Sequence, residues 1–298
     1  MNRKEFGQLV ASLRQDLGLT QAQLAEQIDL ENATLSNIER GAKRHIEPET
    51  LFRLANALQL TSLERREFFL GACGLEQEKI VRQPGPGSKT KVFDADKVLA
   101  ELFDLMGQIY LPANLGDCYG DLIAVNKALL GVLQIDANAL KSMSEAIGGF
   151  NNLHYVYGTM LSQQTLGDEF SQSALDAIRA FREGSLRYRS KPRYRELMQE
   201  FRDPTRYPLF ERYWRRVSTL DEDKETAGDR LLSRHPKYGT LSLMISSRVT
   251  ITPYGELFLS YFLPLDAHTA ASLSSLVAET GQEVIPLLSW PDKKPLVK

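Results

Sequence analysis

The sequence has few of the residues and patterns that mark disulfide-rich, secreted or membrane proteins. It has two cysteines in 298 residues, Cys73 and Cys118, and they show no metal-ligand spacing. We expect two free thiols, which suits a reducing cytosol. The N-terminus lacks the apolar run of a signal peptide, and no stretch approaches the ~20 consecutive apolar residues of a membrane helix. The sequence therefore predicts a cytoplasmic protein with no transmembrane segment.

Motifs for catalysis and for metal binding are also missing. No nucleophile elbow, zinc motif, Walker motif or dinucleotide fingerprint is present. His154 and His235 each lack a second metal ligand at a useful spacing. We predict that the protein is not an enzyme, holds no metal and needs no obligatory cofactor. The 43% hydrophobic and 25% charged residues are typical of a globular protein.

Residues 1–80 carry the spacing of five short helices. Apolar residues recur every three to four positions in each helix. Thr20 is a good N-cap for the second helix, Pro48 suits the first turn of the fourth, and Ser62 is expected to cap the fifth. A tight turn joins the second and third helices, so the sequence predicts an all-α head.

The third helix of the head is too polar to be a core helix. Only Leu35 and Ile38 are apolar on it, and its other side chains are mostly short and able to hydrogen-bond. A recognition helix in the DNA major groove needs such a face. From periodicity alone, a generic five-helix bundle with a polar surface helix is an equal alternative.

The segments LTQAQLAEQIDLENATLSNIERG and LFRLANALQL resemble the helix-turn-helix of the Cro/C1-repressor (XRE) family. The shared motifs are Leu19-Thr20-Gln21, Leu24-Ala25 and Ile38-Glu39-Arg40-Gly41. The resemblance covers most of residues 3–72. Two positions depart from the family pattern: Asp29 stands where the turn usually has glycine, and Glu31 stands where a small polar residue is commoner.

The resemblance implies a role for each matching position of the head. Four residues of the third helix would face base edges: Asn32, Ala33, Thr34 and Asn37. Four others would hold phosphates: Gln21, Arg40, Lys43 and Arg44. A solvated loop is the alternative for Arg40, Lys43 and Arg44.

The charge of the head is balanced, with 9 basic and 10 acidic residues in positions 1–75. A domain-wide basic footprint for non-specific DNA binding is therefore missing. We expect modest affinity per head and thus a homodimer on a palindromic operator in double-stranded DNA. Its half-sites would be about 34 Å apart, one helical turn.

A linker is expected at residues 81–92, since RQPGPGSKTK contains two prolines and two glycines and no large apolar residue. Residues 93–266 would form an α+β domain with an antiparallel sheet and helices on a single face, including a hairpin of strands at 238–250 and 256–264. A short helix and tail at 267–298 would follow.

The large domain resembles the MmyB-like ligand-binding domain, a PAS-like module that often follows an XRE head. The matching pieces are LPANLGDCYGDLIAVNKALLG, YPLFERYWRRV and LLSRHPKYGTLSL. They span most of residues 95–265. The resemblance implies a small-molecule pocket between the sheet and the helices.

Bulky apolar side chains of the large domain are the pocket candidates, although most side chains of this kind are core residues. The set is Leu122, Val125, Tyr155, Tyr157, Met160, Phe181, Phe210, Tyr213, Trp214, Leu243, Ile245 and Phe258. Residues 179–216 contain 12 basic and 5 acidic residues, and Arg182, Arg187 and Arg216 could grip a ligand carboxylate. We therefore expect a fatty-acid-like ligand. A solvated basic face, or a second patch for DNA phosphates, is the alternative for this segment.

Two functions fit these patterns. The first is a DNA-binding transcriptional regulator whose PAS-like domain senses a small apolar or acyl carboxylate ligand. The second is a constitutive regulator whose C-terminal domain serves only dimerisation or partner binding. An internal cavity would favour the first function, and a solid core with a large apolar outer patch would favour the second.

Overall fold

The computed structural model describes residues 1–73, 93–219 and 230–297, which fall into two compact units. The predicted linker at 81–92 lies outside the described residues. The described residues of the first unit, called here the head unit, are 1–73, 185–195 and 216–219. The second, called the sheet unit, contains the remaining described residues, 93–184, 196–215 and 230–297. The predicted domain at 93–266 differs from this division, because residues 185–195 and 216–219 belong to the head unit.

Five helices form the N-terminal part of the head unit, as the sequence predicts. They are α1 (Arg3–Asp16), α2 (Gln21–Gln27), α3 (Asn32–Glu39), α4 (Pro48–Ala57) and α5 (Ser62–Ala72). Each helix turns an apolar stripe inward, and Leu24, Leu35 and Phe68 are fully buried in the resulting core. This core fixes the positions of the polar faces outside it.

The helix caps of the head follow the sequence signals, with one correction. Thr20 caps α2 through its hydroxyl, which accepts the Gln23 N–H, and Pro48 begins α4. The fifth helix is capped by Thr61 rather than by Ser62. Thr61 has extended backbone and accepts the Glu64 N–H, whereas Ser62 is already the first helical residue.

The chain after the linker contains nine α-helices and six strands within its described residues. They are α6 (Ala95–Gly107), β1 (Ala113–Asp117), β2 (Leu122–Asn126), α7 (Lys127–Leu133), α8 (Ala137–Glu145), α9 (Asn152–Gly158), α10 (Met160–Leu166), α11 (Phe170–Ser185), α12 (Pro192–Phe201), α13 (Phe210–Thr219), β3 (Arg230–His235), β4 (Gly239–Thr252), β5 (Gly255–Pro264), α14 (Ala267–Thr280) and β6 (Val284–Pro286). None of the described helices is both long and apolar enough to cross a membrane.

The six strands form one antiparallel sheet in the order β3-β4-β5-β1-β2-β6. The predicted hairpin is confirmed as β4 and β5, joined at residues 253–254. The expectation for the tail missed β6, which pairs with β2 and extends the sheet. Its three residues are too few to show the period-two alternation that identifies a strand.

Helices cover both faces of this sheet, so the expectation of a single helical face is wrong. Leu102 and Met106 of α6 pack with Leu115 and Leu259 on one face. Residues of helices α9, α10 and α11 line a cavity over the other face. The reason lies in β5, whose sequence GELFLSYFLP is apolar on both faces, so that each face needs a cover.

Candidate nucleic-acid interface and ligand cavity

The turn between α2 and α3 explains the unusual aspartate of this head. Asp29 has a φ of 50°, in the left-handed region that glycine adopts most easily. Asp and Asn are the side chains that tolerate this region best. The turn is closed by a hydrogen bond from the Leu30 N–H to the Ala25 carbonyl, 2.9 Å. The departure from glycine therefore keeps the geometry of the turn.

A buried polar clamp holds α3 to the rest of the head. The Glu39 carboxylate is 8% exposed, and Arg14 donates to both its oxygens at 2.7 and 3.1 Å. Gln21 Nε2 donates to the same carboxylate at 2.6 Å. Charge-assisted bonds with two donors are among the stronger polar contacts in proteins. The clamp joins α1, α2 and α3, and thereby fixes how α3 presents its outer face.

Glycine allows α1 and α3 to approach closely beside this clamp. A Cβ on Gly7 would lie 2.4 Å from the Glu39 carbonyl oxygen. Gly41 has a φ of 71°, and a Cβ there would lie 2.7 Å from the Lys4 Cα. Both positions thus require glycine, one for space and one also for its backbone angle.

The four predicted base-contacting residues lie together on the outer side of α3. Asn32 and Ala33 are exposed, and Thr34 and Asn37 are half-buried, whereas Leu35 and Ile38 are buried in the core. The Asn37 Oδ1 accepts a 2.7 Å hydrogen bond from Arg40 Nη2. This contact occupies the amide oxygen of Asn37 and leaves its amide N–H groups available as donors.

The predicted phosphate-contacting residues have different environments. Lys43 and Arg44 are exposed in the loop after α3. Arg40 folds back on α3, since its guanidinium also bonds the Ser36 carbonyl at 3.3 Å. Gln21 uses one amide N–H in the Glu39 clamp, which leaves its other N–H for a different partner.

Sequence reasoning missed Arg14 and Glu39 as the residues that set this face. A signal was present, because Glu39 lies beside the buried Ile38 on the helix, where an acidic side chain requires a cationic partner. The identity of that partner, 25 positions away in sequence, depends on the tertiary fold.

The sheet unit contains a cavity of about 780 Å³ between its sheet and α9–α11. Five of the predicted pocket residues line it: Leu122, Tyr155, Phe181, Ile245 and Phe258. The volume falls in the range of small-molecule sites, roughly 300–1,000 Å³. The lining is apolar over most of its extent, with hydroxyl, amide and carboxylate groups between.

The structure places the other seven pocket candidates outside this lining. Six of them are buried elsewhere as core: Val125, Tyr157, Phe210, Tyr213, Trp214 and Leu243. Most of these aromatic rings pack on one another, with Phe210 and Trp214 centroids 5.5 Å apart. Met160 is 68% exposed. Apolar character alone cannot separate a core residue from a pocket residue, because both occupy the same inward positions.

The three arginines expected to grip a carboxylate do not line this cavity. Arg182 is 3% exposed and lies over the Trp214 ring at 5.3 Å. Arg187 belongs to the head unit, where Nε bonds Glu67 at 3.1 Å. Arg216 also belongs to the head unit and is exposed. Part of the basic segment 179–216 therefore makes intramolecular contacts within each unit.

Residues 185–195, called here the arm, are an integral part of the head unit. Leu186 of the arm is 1% exposed in the same core as α1–α5. Arg189 is 2% exposed, and its guanidinium pairs with Glu64 and with Asp16, the latter at 3.3 Å. The Tyr194 hydroxyl donates to the same Asp16 carboxylate at 2.7 Å.

The arm brings a charge into the interior, and the neighbouring acids compensate it. Burial disfavours a charged Arg189, but the Tyr194 hydroxyl and the carboxylates of Glu64 and Asp16 outweigh it, so the pKa of Arg189 is raised. Glu64 is fully buried, and one of its oxygens also accepts the Thr61 N–H in the cap of α5. The sequence offered no signal for this pairing, since the arm lies more than 120 residues from Glu64.

A second cavity, about 530 Å³, lies beside α8 and α9 and is lined by His154 and Arg206. His154 Nδ1 hydrogen-bonds the Tyr207 hydroxyl at 2.8 Å. Burial, and then the charge of Arg206, lower the pKa of His154 to about 4. The imidazole is therefore neutral at pH 7.

The fold and outer face of α1–α5 define a helix-turn-helix DNA-binding module. A protein-family model described as helix-turn-helix matches residues 10–65. No curated protein shows a significant match to the chain. The family match covers only the head, and it supports a DNA-binding transcriptional regulator.

Proposed function

We propose that this chain is a sequence-specific DNA-binding regulator of transcription that responds to a small apolar ligand. The observation that carries the DNA-binding part is the outer face of α3. Short polar side chains lie there on a helix whose other face is fixed by Leu35, Ile38 and the Glu39 clamp. A rigid support under a polar helix is what base recognition in the major groove requires.

In this proposal the exposed end of α3 and Asn37 read the bases. The amide N–H groups of Asn37 can donate to an acceptor on a base edge, and the Ala33 and Thr34 methyl groups can contact a thymine methyl. Lys43 and Arg44 supply charge for phosphates from the loop that follows. Arg40 acts from beside Asn37, where it orients the amide.

A homodimer on a two-fold symmetric site completes the proposal. The head has no excess of basic residues, so one head gains little from the phosphate backbone. Two heads on half-sites about 34 Å apart would combine their specific contacts on one duplex.

The DNA-binding proposal is tested by selecting sites from a random duplex library with the full chain. Fluorescence anisotropy on the selected duplex then compares Asn37→Ala with Gln8→Ala, a control at an exposed position of α1. We expect Asn37→Ala to weaken binding by about 1–3 kcal/mol, roughly 5- to 150-fold, and to relax preference at one base position. Equal affinities for the two variants would contradict the assignment of α3 as the reading helix.

The ligand-sensing part rests on the cavity over the sheet. A cavity of about 780 Å³ lined mostly by apolar side chains favours a sensor over a domain that serves only dimerisation. An acyl or other apolar body fits this lining. A carboxylate head held by Arg182, Arg187 or Arg216 is not retained, because none of the three reaches the cavity lining.

The chain itself offers a route from ligand to DNA. Residues of α11 line the cavity as far as Gly184, and the arm begins at the next residue. A ligand that changes the position of α11 would therefore act directly on a segment that belongs to the head core. For regulation, the ligand must bind one arrangement of this segment better than another.

Native mass spectrometry of the purified protein tests the sensor. We expect a mass excess that disappears on denaturation and an extractable apolar molecule in stoichiometric amount. If the mass is that of the bare chain and does not shift across an added fatty-acid series, the sheet unit is better assigned to dimerisation or partner binding.

A further inference from the structure

A row of three polar side chains crosses the sheet on the floor of the large cavity. Asn114 of β1 pairs in register with Ser260 of β5, and Ser260 pairs with Ser247 of β4. Residues directly opposite one another in antiparallel strands share a face, and all three line the cavity. The row is therefore a continuous polar strip on one face of the sheet.

The rows on either side of this strip carry no hydrogen-bonding side chain. Ile245 and Phe262 are paired on one side, and Gly116 and Phe258 on the other. Polar side chains in the middle of an apolar floor lose contact with water when a ligand covers them, which costs free energy unless the ligand bonds them. The strip thus favours a ligand that places a hydrogen-bonding group over it.

The strip has donors to offer. The two serine hydroxyls lie 2.8 Å apart, so one O–H is used between them and the other is free to donate. The side-chain amide of Asn114 has no hydrogen-bond partner among the residues that the structure describes, and it can supply its N–H groups to a ligand in the cavity. Donors in this arrangement bind an acceptor oxygen.

Charge does not provide a competing anchor in this cavity. Among the lining side chains that the structure describes, Arg230 is the one cation, and its register opposite Met244 places it on the face away from Ile245. Three carboxylates line the cavity and cannot hold an anionic head, and two of them are already paired, Asp176 with Arg179 at 2.8 Å and Asp117 with Lys293. Recognition of the ligand head therefore depends on hydrogen bonds.

We infer that Asn114, Ser260 and Ser247 anchor the ligand through an oxygen that accepts hydrogen bonds, carried on an apolar body. This inference rests on the proposed ligand-sensing function and names the chemical class that the site takes. Alcohols, amides, esters and carboxylates share the required oxygen. The anchor recognises the oxygen rather than a full negative charge, so a neutral head group binds comparably to an anionic one.

The test uses calorimetric titration of the full chain with two probes of equal chain length, decan-1-ol and decanoate. We expect both to bind, with dissociation constants within about tenfold of each other. Ser260→Ala should weaken both by about three- to tenfold, the loss of one or two net hydrogen bonds. Ser173→Ala is the matched control, because it removes a hydroxyl from the α11 wall of the same cavity outside the strip.

The outcomes separate this inference from the function on which it rests. Equal affinities for Ser260→Ala and Ser173→Ala would overturn the anchor while leaving the cavity as a ligand site. Binding of decanoate without decan-1-ol would also overturn it, since charge would then decide recognition. Binding of neither probe by the unchanged protein would overturn both the anchor and the proposed sensor.

Discussion

Replacing Arg189 by methionine should destabilise the head unit far more than any exposed substitution in the arm. The side chain is 2% exposed and compensates the fully buried Glu64. Removing one partner of a buried ion pair leaves the other charge without compensation, at a cost of about 3–5 kcal/mol. Methionine keeps most of the apolar packing, so the loss reflects the missing guanidinium.

The size of the effect is best measured by hydrogen exchange in α1 and α5, because these helices carry Asp16 and Glu64. A loss of about 3–5 kcal/mol corresponds to roughly two to three and a half orders of magnitude in protection. The double variant Arg189→Met with Glu64→Gln should recover much of it. Glutamine removes the buried charge and can still cap α5.

Arg187→Met supplies the control, since it removes an arginine two residues away in the same arm. Its partner Glu67 is 26% exposed, and such a partly solvated pair contributes about 0–1 kcal/mol. If Arg189→Met lowers protection by less than about tenfold, as Arg187→Met is expected to do, the conclusion that the arm is part of the head core is refuted.

Three further predictions follow from the packing and the titrating groups. The pKa of His154 in the folded chain, about 4, lies below the ordinary 6.5, so the unfolded chain binds the proton first as the pH falls. The free energy of unfolding of the sheet unit should drop by up to about 3 kcal/mol between pH 6.5 and 4. Urea titrations followed by tryptophan fluorescence, which reports the sheet unit alone, should lose this dependence in His154→Gln; an unchanged slope would exclude His154 as its source. Lys43→Ala should lower the salt slope of DNA binding by about 0.9 and weaken all duplexes alike, and an unaltered slope would place Lys43 away from phosphate. Gly7→Ala should lower the free energy of unfolding of the head by about 1–3 kcal/mol, because its Cβ would clash with the backbone of Glu39. Thermal unfolding followed by circular dichroism measures the change. An unshifted melt would show that α1 and α3 can separate freely.

Local signals predicted the head well. Thr20, Pro48 and the apolar stripes identify helices whose ends depend on neighbouring residues, and the structure has them in those places. The outer face of α3 was equally visible, because it is defined by what a short helix leaves exposed. The clamp on Glu39 could not be predicted from the sequence, because its partner Arg14 comes from a different helix.

The large domain could be predicted only in outline. The β4–β5 hairpin showed the alternation of a strand pair with a turn, and it is present. Which aromatic residues face the cavity depends on helix rotation and on sheet register, so Phe181 and Trp214 look alike in sequence but only the former lines the cavity. The arm belongs to the head for a similar reason, because its pairing with Glu64 spans most of the chain.

The most direct test of the central claim is the ratio of affinities for a selected duplex and a scrambled duplex of the same composition. Both are measured with the full chain at physiological salt. Specific recognition by α3 predicts a ratio of about 10³ or more. A ratio near one would contradict the account, because it would mean that the polar face of α3 does not read bases.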